Sequence, residues 1–257
     1  MRPVVLLTDF GQGDHYAGVL HAVLVREAPG IERLDLSHAV PPGDVWAASY
    51  LLRCAWPHLP ADAVVLVVVD PGVGTARRAL AVRLGQRWLV AADNGVATAP
   101  GMPDEAFALE AAAVGVPFLS ATFHGRDLFA PAAARLARGE RPGALGRVVD
   151  GRGLVPCPLP EPLRTERGWV GTIVHADHFG NLVTNLRAAE VTGDVSLARP
   201  VQRSFRRVTT YGEAGEGEVV VVEGSSGLLE LALNRGSAAA VLGWRRGDEL
   251  VVKEDRG

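Results

Sequence analysis

Apolar runs and polar breaks alternate along the first half of the chain, and their periods separate strands from helices. "PVVLLTDF", from Pro3, reads as a buried strand, and "HYAGVLHAVLVREAPG" then changes to helical spacing. Val19, Leu20, Val23 and Leu24 fall on one face of that helix before Pro29 and Gly30 end it. "IERLDL" alternates as a second strand, and Asp44 is placed to cap a helix through "VWAASYLLRCAW". "AVVLVVV" is a continuous β-branched run of the kind covered on both faces. "ALAVRLGQRWLVAADNG" supplies two more strands around Gly85 and Gln86, and "RDLFAPAAARLARG" another helix with Pro131 near its start. Strands alternating with helices predict an α/β domain on a mostly parallel central sheet.

The texture changes between Gly139 and Gly168, where Pro, Gly and Arg crowd together and periodic apolar positions thin out. Beyond it, "WVGTIVHAD", "NLVTNL", "EVVVVE", "LLELALN", "SAAAVLG" and "DELVVK" read as short strands between glycines. The expected organisation is an α/β domain over 1–150, a linker over 151–168, and a smaller all-β, barrel-like domain over 169–257.

Composition narrows the chemistry. The 257 residues are 48% hydrophobic, with 26 basic against 29 acidic groups and a net charge of −3, and no long like-charged block suits nucleic acid or an anionic membrane. Lys253 is the only lysine, which argues against Schiff-base and P-loop chemistry. Cys54 and Cys157 are too few and too far apart for a disulfide framework or a zinc site. No apolar run approaches membrane-spanning length, so the expectation is a soluble, unprocessed cytoplasmic protein.

Asp9, Asp70 and Asp93 each follow an apolar run directly. In open parallel sheets ligands bind beyond the carboxyl ends of strands, so these three acids are expected to face one crevice. Taken singly, a strand-end Asp more commonly caps a turn. "TDFGQGD" places Asp9 and Asp14 around two glycines, which suits a carboxylate on a ribose diol or a hard cation such as calcium. His124, ahead of a helix in "TFHGRD", is a candidate general base, against the commoner reading of a locally satisfied histidine. His15, His21, His38 and His58 read as structural or surface groups. In "HADHFGNLVTN", Asp177, Phe179, Asn181 and Asn185 offer an aromatic face beside amides, as adenine recognition requires, or simply a hairpin turn. Ser225 and Ser226 in "EGSSG" are placed to receive a carboxylate, or to make a polar turn.

Together, "LLTDFGQGDHYAGVLHAVL", "VVVDPGVGTARRALAV", "ADNGVATA", "TFHGRDLFAPAAA", "DHFGNLVTN" and "SSGLLELALNRGSAA" resemble the S-adenosyl-L-methionine (SAM) hydroxide adenosyltransferases, relatives of the fluorinating and chlorinating enzymes. The resemblance runs from the first strand nearly to the C-terminus. It implies hydrolysis of SAM to adenosine and L-methionine by water or hydroxide attack at the ribose 5′ carbon, without metal or cofactor. It also implies a homotrimer whose substrate lies between the N-terminal domain of one subunit and the C-terminal domain of the next. By motif position it assigns the nucleophile's triad to Asp70, Arg77 and His124, with Arg78 the adjacent alternative. Asp9 matches the ribose-diol carboxylate, Trp46 an aromatic wall of the ribose pocket, and Asp177 the group on the methionine ammonium. Phe179 and Asn181 match the adenine side, and Ser225 or Ser226 the methionine carboxylate. Three other readings compete: a SAM-dependent halogenase, a nucleoside hydrolase with calcium on Asp9 and Asp14, and a non-catalytic SAM or adenosine binder.

Overall fold

The computed structural model describes residues 1–115, 117, 119–166, 168–191, 195–199 and 203–253. The chain divides into two compact units, Met1–Pro158 and Leu159–Gly257.

Unit 1 is built on β1 (Val4–Thr8), β2 (Arg33–Ser37), β3 (Val64–Val68), β4 (Ala79–Leu84), β5 (Arg87–Ala92), β6 (Glu105–Leu109) and β7 (Gly146–Val148). Its helices are α1 (Tyr16–Glu27), α2 (Val45–Ala55), the one-turn α3 (Ala111–Val114) and α4 (Ala130–Ala137). The strands lie in the order β2-β1-β3-β5-β4-β6-β7. Alternation along the central strands sorts the core into two layers. Val4 and Leu6 of β1, with Val64 and Leu66 of β3, face Leu20 and Leu24 of α1 and the alanines of α4. Val5, Leu7, Val65 and Val67 face Ala47, Ala48 and Leu52 of α2. A strand buried on both faces cannot show a polar alternation, which is why these segments read as unbroken apolar runs. β2 sits at the sheet edge and is largely exposed.

The expectation of a mostly parallel sheet needs correction. β2, β1, β3 and β5 pair in parallel, whereas β4 with β5, β6 with β4 and β7 with β6 are antiparallel. The cause is the tight turn at Gly85, whose φ of +61° suits glycine and folds β5 straight back on β4. α1 and α2 form where the spacing predicted them, and the Asp44 carboxylate caps α2 by accepting from the Ala47 amide.

Unit 2 contains β8 (Leu163–Thr165), β9 (Gly168–Ala176), β10 (Leu182–Arg187), β11 (Val195–Arg199), β12 (Arg203–Phe205), β13 (Arg207–Val208), β14 (Val219–Glu223), β15 (Leu228–Leu233) and β16 (Glu249–Lys253). Pairing runs β12-β11-β16-β9-β10-β15-β14-β13, with β8 added on β9. Among the described residues this path is open and no bond closes it into the expected barrel. "SAAAVLG", expected as a strand, is instead helix α5 (Ala238–Leu242), capped by the Ser237 hydroxyl accepting from the Ala240 amide. Three successive alanines favour helix, and a serine at the cap overrides the apolar look of the run. The segment expected as a linker carries β8, and its second half belongs to the unit 2 sheet.

Ahead of α4, Gly125–Phe129 forms a single π turn. A Cβ at Gly125 would come within 2.8 Å of Val68 Cγ1 at the end of β3, so glycine is what lets this turn lie against the strand. Gly125→Ala is expected to cost about 1–3 kcal/mol through overpacking, read as a lower midpoint in chemical denaturation.

Candidate active site

The strand that ends in β3 delivers Asp70 to the sheet's carboxyl edge. The turn behind it is tied by the Val73 amide donating to the Asp70 carbonyl and the Thr75 amide to the Gly72 carbonyl. At Gly74, with φ +79°, a Cβ would approach the Ala121 carbonyl oxygen to 2.4 Å, so only glycine allows the loop to pack there. This turn brings Arg77 back over Asp70. Arg77 Nε donates to Asp70 Oδ1 at 2.9 Å and Nη2 to Oδ2, a bidentate pair in which both side chains are nearly excluded from solvent. Nη2 also donates to Nδ1 of His124 at 2.7 Å. The guanidinium carbon lies 5.3 Å from the ring centre of Phe129, in the π turn that begins beside His124. The π turn begins directly after His124 and carries Phe129, so both rings lie beside the arginine.

This geometry constrains protons. A guanidinium can only donate, so His124 Nδ1 is an acceptor and the neutral ring carries its hydrogen on Nε2. Burial, and after it the charge of Arg77, hold the His124 pKa below the ordinary histidine value against the opposing pull of Asp70 and Asp127. The imidazole is therefore kept neutral with its one lone pair already engaged. The carboxylate of Asp70 retains lone pairs beyond the two that Arg77 occupies.

Arg78 takes the other route. Its Nε donates to Asp93 Oδ2 at 2.7 Å and its Nη2 to the Gly153 carbonyl at 2.6 Å, while the Val155 amide donates to Asp93 Oδ1 at 2.9 Å. Asp93 thus fastens the 153–155 segment to the sheet, with its two carboxylate oxygens engaged by Arg78 and the Val155 amide. Asp9 does lie close to Asp70. It accepts from the Gly43 amide at 2.8 Å, and burial first, with repulsion from Asp70 as a lesser cause, raises its pKa. Trp46 stands half-buried in the first turn of α2, three residues from Gly43. Asp14 is exposed, and no gathering of three or more acid, histidine or cysteine donors among the described residues includes it or Asp9.

Unit 2 contributes a cavity of about 890 Å³, lined in part by Asp177, Phe179, Asn181, Ser225 and Glu230. The Asp177 carboxylate holds its own turn together, accepting from the Phe179 and Asn181 amides at 2.9 and 2.8 Å and from Asn181 Nδ2 at 2.9 Å. This turn leaves Phe179 75% exposed at the cavity and buries Asn181. A large ring so exposed beside polar groups offers a stacking surface, even with the His178 ring set at an angle to it 5.7 Å away. Ser225 lines the cavity on the turn between β14 and β15; Ser226, next to it, is exposed. Sequence reasoning overlooked Glu230, a buried acid that accepts from the Tyr211 hydroxyl at 3.2 Å and whose pKa is raised by burial. Its signal was available: a carboxylate in the middle of the apolar run "LLELAL".

A mixed α/β sheet that collects an acid, an arginine and a histidine at its carboxyl edge, followed by a β-rich unit with a polar-rimmed cavity, defines a two-domain protein of the α/β type with a built polar site in each domain. The chain belongs to the SAM hydroxide adenosyltransferase family: residues 4–146 match its N-terminal domain and residues 171–251 its C-terminal domain. A relative from Thermus thermophilus named (R)-S-adenosyl-L-methionine hydrolase is 47% identical, over 96% of this chain and 98% of its own length. A fluorinase from an Actinoplanes species is 24% identical over 90% of each chain. A crystal structure of an uncharacterized conserved protein from Thermotoga maritima superposes with a TM-score of 0.89 at 33% identity, covering 98% of this chain and 100% of that one.

Removing the arginine while leaving its acid strands a buried carboxylate. Arg77→Met is expected to lower the unfolding free energy by about 3–5 kcal/mol, and Arg77→Met with Asp70→Asn to recover part of the loss, both measured by urea denaturation.

Proposed function

We propose that this chain hydrolyses SAM to adenosine and L-methionine, with water attacking the ribose 5′ carbon. The observation that carries this reading is the Asp70–Arg77–His124 cluster, and the relative named (R)-S-adenosyl-L-methionine hydrolase supports it. The sulfonium departs as a neutral thioether, so the site needs a proton acceptor and no acid. No cofactor is required for that displacement. As the water oxygen bonds to C5′, the C5′–S bond breaks and its electron pair leaves on sulfur. The water proton passes to the Asp70 carboxylate and then to solvent.

By residue type His124 is the first candidate for the accepting role. Its Nδ1 lone pair is engaged by Arg77, which moves that role to Asp70 and leaves His124 as a donor through Nε2–H. Arg77 holds both and places positive charge beside the oxygen as it gains hydroxide character. Asp9 serves the ribose diol, Trp46 walls the ribose, Phe179 and Asn181 serve adenine, and Asp177 with Ser225 or Ser226 the methionine end. We further propose a homotrimer in which these groups meet across subunits, working in the cytoplasm without nucleic-acid or membrane partners.

Halogenation is the weaker reading. A halide must be stripped of water and held by neutral or positive groups, and the nearly buried Asp70 carboxylate would repel it. A calcium-dependent nucleoside hydrolase finds little support in an exposed Asp14.

In water enriched with heavy oxygen, the expected products are methionine and adenosine labelled at the 5′ hydroxyl; release of adenine, or a halogenated nucleoside in the presence of halide, would overturn the assignment. Asp70→Asn is expected to lower kcat by about 10²-fold or more while SAM still binds by calorimetry. The pH profile has a definite sign. Because the His124 pKa is lowered, its neutral form survives below the ordinary histidine range, and activity should hold as pH falls through 6.5. It should decline at lower pH, where protonation of Nδ1 expels Arg77, and where Asp9, with its raised pKa, loses the charge that binds the diol.

A further inference from the structure

Away from that cluster, three groups from two segments of unit 1 converge: His21 of α1, and Asp35 of β2 with His38 just beyond it. Their donor atoms all lie within 4.8 Å of one another. One oxygen, Asp35 Oδ1, stands 2.9 Å from His21 Nε2 and 3.3 Å from His38 Nε2. Cation–ligand distances of about 2.0–2.2 Å in a tetrahedral site put neighbouring ligand atoms roughly 3.3–3.6 Å apart. The two nitrogen–oxygen gaps are near that separation, and the gap between the two ring nitrogens is within 4.8 Å.

His38 supplies the second observation. It is only 7% exposed, and its Nε2 has no hydrogen-bond partner, being out of line with Asp35 despite their proximity. Its other nitrogen, Nδ1, lies 2.8 Å from the hydroxyl of the fully buried Thr8. When Nδ1–H donates to that hydroxyl, Nε2 presents a bare lone pair to a carboxylate oxygen. Two lone pairs facing each other at this distance repel, and a cation between them removes the repulsion. Metal-ligating histidines characteristically have their second nitrogen fixed by such a partner. Arg33 donates Nη1 to the His21 carbonyl at 3.4 Å, which leaves the His21 ring nitrogens out of that bond.

We propose that His21, Asp35 and His38 form a binding site for one divalent transition-metal cation of the zinc, cobalt or nickel kind. Two imidazoles and one carboxylate select such borderline ions over magnesium or calcium, which prefer all-oxygen shells. Because Asp35 is exposed and His21 half-buried, solvent completes the coordination. The site has a structural consequence near Asp9. The His38 carbonyl accepts from the Gly11 amide at 2.7 Å and Thr8 carries the strand into Asp9, so an ion here braces the Asp9 loop against β2.

The test uses the full chain, stripped with chelator, dialysed and titrated with Co²⁺. The expected result is one Co²⁺ per chain, with visible d–d absorption that Zn²⁺ displaces and with paramagnetic broadening of the His21 and His38 ring signals but not those of His58. His21→Gln and Asp35→Asn, at a half-buried and an exposed position, should each weaken binding by at least about tenfold. They should also abolish the rise in melting temperature that Zn²⁺ gives the parent. Absence of stoichiometric binding in the parent, broadening centred on other histidines, or equal affinity in both folded variants would overturn the proposal.

Discussion

The bidentate contact between Arg77 and Asp70 governs how this protein's first unit is arranged. Burying a carboxylate at the rim of a fully apolar strand is tolerable only if a cation meets it squarely, and a guanidinium does so while keeping one more donor for His124. A lysine would offer charge without the fork. The local sequence fits that requirement: glycine at 74 lets the loop pack back, and the π turn that follows His124 puts Phe129 under the guanidinium. The cluster is thus one object built from two separate segments, and its proton capacity belongs to the set.

The two adjacent arginines show how identical side chains diverge. Successive residues of an extended segment point to opposite sides, so Arg77 turns toward Asp70 and Arg78 toward Asp93 and the 153 carbonyl. One organises the proposed water site; the other fastens a crossing segment. Sequence left the choice between them open because side-chain direction at the strand's entry depends on where pairing begins, and that is fixed by β5.

Much of the fold was legible. β1, β3, α1 and the Asp44 cap of α2 follow from apolar periodicity and capping chemistry, since the core imposes those patterns directly. What escaped depended on partners remote in sequence. The antiparallel half of the first sheet and the open path of the second are matters of pairing, which one strand's sequence does not encode. α5 was misread because a short alanine run is apolar enough for either state. The convergence of Asp70, Arg77 and His124 was expected through resemblance, whereas Glu230 and the His21–Asp35–His38 group were missed. Each of these needs two elements to be docked before its members meet.

The central claim, that Arg77 donates at once to Asp70 and to Nδ1 of His124, is most directly tested by nitrogen-15 NMR of the His124 ring near neutral pH. The account predicts a neutral imidazole protonated on Nε2, with Nδ1 showing the shift of a hydrogen-bonded acceptor, and loss of that signature in an Arg77 variant. A hydrogen on Nδ1, or a fully charged ring at neutral pH, would contradict it.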